Sequence, residues 1–83
     1  MQIANMEALI DYIARSLVDD PTQVDIHHYQ RGSTVAYELT VAKEDMGRVI
    51  GKGGRVATAM RALVRVAAAR EGIRVSLDIV DPE

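Results

Sequence analysis

Met6, Leu9, Ile10, Ile13 and Leu17 recur at the three- and four-residue spacing of one helical face, with Asn5 placed as an N-cap. Asp19-Asp20-Pro21 interrupts that spacing, so a first helix is predicted over about 5–18. The period then drops to two. Val24 and Ile26 alternate with Asp25 and His27, Arg31-Gly32-Ser33 supplies a turn, and Val35, Tyr37, Leu39 and Val41 alternate with Ala36, Glu38 and Thr40. This is the signature of a hairpin. A short helix over 43–50 and a glycine-rich loop follow. Next comes a longer helix, ending near Gly72, whose inward face is predicted to carry Val56, Met60, Leu63 and Ala67. Ile73, Val75, Leu77 and Ile79 alternate as a last strand before the tail at 81–83. The predicted order is αββααβ, without internal repeat or low-complexity tract. Tyr37 is expected in the core, Tyr12 on or beside the packed face, and Tyr29 at a strand end.

Length and composition narrow the classes. Eighty-three residues suffice for one domain over 1–83, burying roughly 60–65% of its unfolded surface but forming no deep lidded cleft. There is no cysteine, which excludes a disulfide framework and a thiolate metal site. The first residues carry no basic leader, and no apolar run approaches the roughly 20 residues of a membrane span. A cytoplasmic protein without membrane insertion is expected.

Net charge is −2, but it is unevenly distributed. Over 46–74 there are seven basic residues (Arg48, Lys52, Arg55, Arg61, Arg65, Arg70, Arg74) against Glu71 alone, +6 in all, and the remainder carries −8. A basic strip on an acidic body favours a polyanion while discouraging indiscriminate coating of duplex DNA. Ordinary helix surfaces are charged too, and what separates this strip from them is the loop beside it. Gly47-Arg48-Val49-Ile50-Gly51-Lys52-Gly53-Gly54-Arg55-Val56 places glycines and a lysine ahead of a helix, where free amides and the helix dipole favour phosphate.

Competing motifs fail. Gly47-x-x-x-Gly51-Lys52-Gly53 lacks the four-residue gap and the following Ser or Thr of a Walker A loop, and a dinucleotide fingerprint would follow a strand directly. His27 and His28 are adjacent in a strand and point to opposite faces, so no shared metal site is expected. Glu44 and Asp45 read as N-terminal capping acids of the short helix rather than as an acid–base pair. No triad is evident, so neither an enzyme nor a cofactor is expected. Without Phe or Trp, and with all three tyrosines outside the basic segment, an aromatic stacking platform is not expected. No side chain can be assigned to a base edge, so weak sequence selectivity is expected.

Val49-Ile50-Gly51-Lys52-Gly53-Gly54-Arg55-Val56 resembles the signature of the KH domain, an apolar pair, a Gly-x-x-Gly loop at 51–54 and a following apolar position. The element order resembles the bacterial type II arrangement over essentially the whole chain. The size of the chain, Arg61-Ala62-Leu63-Val64 and the terminal strand are most similar to the small single-KH proteins of bacteria, the KhpA family. The resemblance implies an α+β fold, a three-stranded mixed sheet with three helices on one face. It also implies a groove for about four nucleotides of single-stranded RNA or DNA, the loop clamping the backbone. By that implication Gly51 and Gly54 shape the loop, Gly53 permits backbone approach and Lys52 contacts phosphate. Arg48 and Arg55 flank it, and Ile50 and Thr58 line the groove beside 74–76. RNA chaperoning or post-transcriptional regulation is implied, with a KH-based protein assembly module as the alternative.

Ala59, Ala62, Val66 and Ala69 make a small apolar flank on the long helix, read as a self-association surface. Alanine is also simply the best helix former. The resemblance adds homodimers, or heteromers with a larger KH protein of the KhpB or Jag type, as expected partners.

Overall fold

The computed structural model describes residues 3–82, with nothing stated for the side chains of residues 3 and 4. Helix α1 spans Ile3–Leu17, a 3-10 turn at Pro21–Gln23 leads into strand β1, Asp25–Arg31, and β2 spans Thr34–Thr40. A 3-10 turn at Lys43–Asp45 runs into the one-and-a-half-turn helix α2, Met46–Ile50. The loop turn Lys52–Gly54, helix α3, Arg55–Arg70, and strand β3, Arg74–Ile79, complete the order αββααβ. The sheet order is β1-β2-β3, with β1 antiparallel and β3 parallel to β2. This is a type II KH arrangement. Helix α1 begins two residues before Asn5, which therefore lies inside the helix rather than at its cap.

Alternation decides what each sheet face carries. Ile26, Val35, Tyr37, Leu39, Val75, Leu77 and Ile79 face the helices, where they meet Met6, Ile10, Ala14, Val49, Met60, Val64 and Ala68 in one core. Tyr37 is fully buried, and burial, assisted by the negative charge of Glu7, pushes its hydroxyl above the ordinary tyrosine value. The opposite face carries the cross-strand rows Tyr29–Ala36–Ser76 and His27–Glu38–Asp78. Ala36 is buried there, opposite Tyr29, which lies inside β1 and not at the strand end expected from sequence.

Helix α3 is rotated relative to the expected face. Ala57, Met60, Val64 and Ala68 are the buried set, Val56 and Ala67 are half-buried, and Leu63 is 58% exposed. Both sets share Met60 and both have helical spacing; in an alanine-rich segment the small residues fit beneath the helix and the larger Leu63 turns out. Tyr12 is also outside the core, at 72% exposure, because the α1 face is already filled by Met6, Ile10 and Ala14.

The two histidines point as alternation requires. His27 Nε2 lies 3.0 Å from Asp25 on the open face, while His28 Nδ1 lies 3.3 Å from Glu7 of α1 on the helix face. Among the described residues no cluster of three or more His, Cys, Asp or Glu could hold a metal ion, and no helix is long and apolar enough to cross a membrane.

Candidate nucleic-acid interface

The loop between α2 and α3 is built by three glycines at positive φ, Gly51 at 75°, Gly53 at 64° and Gly54 at 79°. They serve different ends. A Cβ on Gly51 would sit 2.4 Å from Val56 Cγ2 and 2.8 Å from the Val56 amide nitrogen, so this residue lets the loop fold tightly against the start of α3. A Cβ on Gly53 or Gly54 would meet nothing within 4 Å, so there is open space above the backbone at both positions. Gly54 donates its N–H to Gly51 O at 3.1 Å, closing the turn.

Electrostatics follow from what α3 lacks. No side chain caps its N-terminus and no acid lies in its first turn, so its positive end faces solvent through the glycine loop uncompensated. Lys52 and Arg55 are exposed and, among the described residues, have no acidic partner. Sixteen residues of aligned peptide dipoles and these two cations converge on one short stretch of bare backbone.

Arg48, expected beside the loop as a phosphate contact, also pairs with two carboxylates. Its Nη2 donates to Asp19 Oδ2 at 2.9 Å, and its Nε lies 3.3 Å from Asp45 Oδ1. Asp45, expected as a capping acid, does not cap α2. It is 2% exposed, and its carboxylate accepts the backbone N–H of Asp19 at 3.1 Å and of Asp20 at 3.0 Å, tying the segment after α1 to the start of α2. The i, i+3 spacing of Asp45 and Arg48 was a visible signal for their pair, but the partners 25 and 26 residues upstream were not.

Helix α3 packs against β3 and reaches its outer edge. The side of α3 carrying Thr58, Arg61 and Arg65 turns toward that edge, because Arg61 Nε donates to Leu77 O at 2.8 Å. Thr58 is exposed one turn from the loop, and Ile50 is 37% exposed at its other side, so both are accessible. Ser76 lies away from the β3 edge. Its side chain shares the far face of the sheet with Ala36, where its Oγ is buried without a partner. The outer backbone edge of β3 is that of Val75, Leu77 and Ile79: the N–H of Val80 bonds back to Leu39 O, so alternate residues turn outward.

A second surface lies on another side of α3. Ala59, Ala62 and Ala69 are exposed on α3 with Val66, and exposed Leu63 extends that flank toward Tyr12 of α1. Between α1 and α3 a shallow groove of about 570 Å³ is lined by Leu9, Tyr12, Ile13, Leu63 and Val66 among others.

Comparison with known proteins fits this geometry. The KhpA/KhpB KH-domain profile matches residues 7–79. The RNA-binding protein KhpA of Chlamydia trachomatis is 43% identical over 76 residues, covering 92% of this chain and 97% of that protein. The RNA-binding protein KhpA of Halalkalibacterium halodurans is 45% identical over 76 residues, covering 92% and 100%. Among solved structures, Aquifex aeolicus Era bound to GDP and tetrafluoroaluminate superposes with a TM-score of 0.64 at 18% identity. That match covers 98% of this chain and 32% of Era. A complex of Era with MgGDPNP and nucleotides 1506–1542 of 16S ribosomal RNA gives 0.61 at 17%, covering 92% and 29%. At such identities these two structures share the fold alone. Both of these relatives carry RNA binding in their names. With its sequence matched across the αββααβ unit and its glycine loop opening on the free end of α3, this chain belongs to the KhpA/KhpB family of KH-domain proteins.

Proposed function

We propose that residues 1–83 act as one KH domain that binds single-stranded RNA, the sugar-phosphate backbone seated on Gly51–Gly54 and the bases in the groove between α3 and β3. The observation that carries this reading is the uncapped, acid-free N-terminus of α3 behind Gly53 and Gly54, two glycines with open space above them. Lys52 supplies the first phosphate contact and Arg55 the second, while Arg48 stands beside them with its guanidinium shared with Asp19 and Asp45. Ile50 and Thr58 border the bases. The names of the relatives support RNA as the ligand. Single-stranded DNA fits the same phosphate geometry. A cytoplasmic RNA chaperone or post-transcriptional regulator is the role that suits a site clamping backbone.

A Lys52→Asp, Gly53→Asp double variant tests it. Anisotropy of fluorescein-labelled mixed-sequence RNA should show wild-type binding that weakens with salt and at least a roughly tenfold loss in the variant, with the fold intact by circular dichroism. Equal binding by both proteins would move the site off the loop.

The second element of the proposal is pairing. A groove holding about four nucleotides gains affinity chiefly through a second linked site. We assign the pairing surface to Ala59, Ala62, Val66 and Ala69, extended by Leu63 and Tyr12. Three large apolar side chains exposed together favour this face over a plain alanine-rich helix surface. A second copy of the chain is the first occupant, and a larger KhpB- or Jag-type KH protein the other. Leu63→Asp with Val66→Asp should convert a sedimenting dimer to a monomer at the same concentration without unfolding it, both side chains being 58% exposed. An unchanged sedimentation coefficient would remove this face from the assembly. The alternative, an assembly module with little RNA binding, would keep function in the loop variant and lose it in this one.

A further inference from the structure

The sheet face away from the helices brings together side chains that lie far apart in the sequence. Register places Tyr29, Ala36 and Ser76 in one cross-strand row and Arg31, Thr34 and Arg74 in the next. Tyr29 is 42% exposed, with the fully buried Ala36 and the half-buried Ser76 completing its row. Both neighbours are small, so nothing else in that row competes for the space above the sheet. Among the described residues the Tyr29 ring has no aromatic or cationic partner. Arg31 and Arg74 are exposed and, among the described residues, have no acidic partner. Strands lie roughly 4.8 Å apart and successive residues of one face about 7 Å apart, so the two arginines flank a point one step along the strands from the tyrosine. The acids of this face, Asp25, Glu38 and Asp78, all lie on the other side of the Tyr29 row. Charge is therefore polarised along the strands, positive toward the hairpin turn.

A basic path leads to that end from the glycine loop. Lys52 and Arg55 stand at the start of α3, Arg61 reaches the outer edge of β3 through Leu77 O, and Arg65 follows one turn later on the same side. The chain then turns at Gly72 and enters β3 at Arg74. We infer that the open sheet face is a second contact site for single-stranded RNA, with a base stacked on Tyr29 and the phosphate of that nucleotide held between Arg31 and Arg74. This rests on the reading that the loop holds RNA, the strand continuing from there round the edge of β3. Every base has a π-face, so stacking on a lone aromatic is sequence-tolerant, and guanidinium presents paired donors to phosphate oxygens. The acids beyond Tyr29 repel phosphate and leave one orientation, phosphate toward the hairpin turn. With its tyrosines outside 46–74 the sequence predicts no stacking platform; strand pairing supplies one, because β2 sets Arg31 on one side of Thr34 and Arg74 on the other.

The test follows anisotropy of fluorescein-labelled U4 and U16 RNA at two salt concentrations, U16 being long enough to pass round a domain whose short axes are 22 and 20 Å. Wild type is compared with Tyr29→Ala, Tyr29→Phe and the Arg31→Gln, Arg74→Gln double variant, each checked by circular dichroism. Tyr29→Ala should weaken U16 about tenfold, while Tyr29→Phe, which keeps the ring, should bind like wild type. The arginine variant should weaken U16 several-fold and flatten its salt dependence. All three should bind U4 as wild type does, since the loop is untouched. U16 affinity unchanged in both Tyr29→Ala and the arginine variant overturns the sheet-face site and leaves the loop standing. Equal losses on U4 and U16 also overturn it, because the substitutions would then be acting through the loop. U16 binding that survives undiminished in Lys52→Asp, Gly53→Asp overturns the loop reading instead.

Discussion

Gly51→Ala should cost this domain on the order of 3–5 kcal/mol, while Gly53→Ala and Gly54→Ala should each cost about 1–2 kcal/mol. The three glycines look equivalent in the sequence and differ in their surroundings. Gly51 has φ 75° and ψ 171°, a region open essentially to glycine alone, and its missing Cβ would stand 2.4 Å from Val56 Cγ2 and 2.8 Å from the Val56 amide nitrogen. The first contact could be relieved by a rotamer change; the second is with backbone at the start of α3 and cannot move without displacing the helix. Gly53, at φ 64° and ψ 18°, and Gly54, at φ 79° and ψ 13°, are left-handed with empty space where a methyl would go, so only backbone strain is incurred there. Stabilities of small domains run to about 0.05–0.15 kcal/mol per residue, so the Gly51 change removes a large part of the total. Urea titrations of the three alanine variants followed by circular dichroism would decide it. A Gly51→Ala midpoint as close to wild type as that of Gly53→Ala would refute the packing argument.

The other large effect is expected at Asp45. Replacing it with alanine orphans the amides of Asp19 and Asp20 and takes one of two partners from Arg48. Hydrogen bonds to a charged acceptor are worth roughly 1.5–3 kcal/mol each, and leaving part-buried donors unmet incurs their desolvation cost, so a loss of about 3 kcal/mol is expected. For a domain of this size that lowers the melting temperature by roughly 10–20 °C. Asp45→Asn, which keeps one oxygen acceptor but no charge, should fall between Asp45→Ala and wild type. The consequence reaches the loop, because Asp45 fixes the start of α2 and α2 delivers Gly51. In the folded Asp45→Asn protein RNA affinity should drop several-fold with the salt slope retained, since Lys52 and Arg55 remain. Thermal melts and the anisotropy assay measure both. An alanine variant melting within about 5 °C of wild type would show that the buried carboxylate is not a staple.

The same staple draws in Arg48. Beside a glycine loop an arginine is expected to bind phosphate, and one carboxylate three residues earlier would compete only weakly at an exposed surface. Folding brings Asp19 to the same guanidinium at 2.9 Å, and two carboxylates now share it. Long-range pairs of this kind carry no periodic trace, so no window of the sequence contains them.

The sequence alone determined the element order, because each period is local: five apolar residues at helical spacing in α1, strict alternation in β2, and glycines where the chain leaves right-handed φ. It also determined the loop at 51–54 and the segregation of basic charge onto 46–74, since both are contiguous. Only the tertiary structure decided the rotation of α3. The sets Ala57/Met60/Val64/Ala68 and Val56/Met60/Leu63/Ala67 are equally periodic, and what selects between them is the space left by the sheet and by α1, which admits alanine and expels Leu63. The same holds for Arg61, whose Nε finds its acceptor only because β3 arrives with Leu77 O on its outer edge, 16 residues further along the chain. Local spacing fixes which elements form; the side each element turns to its neighbours is fixed by volume and by hydrogen-bond partners brought together only when the chain is packed.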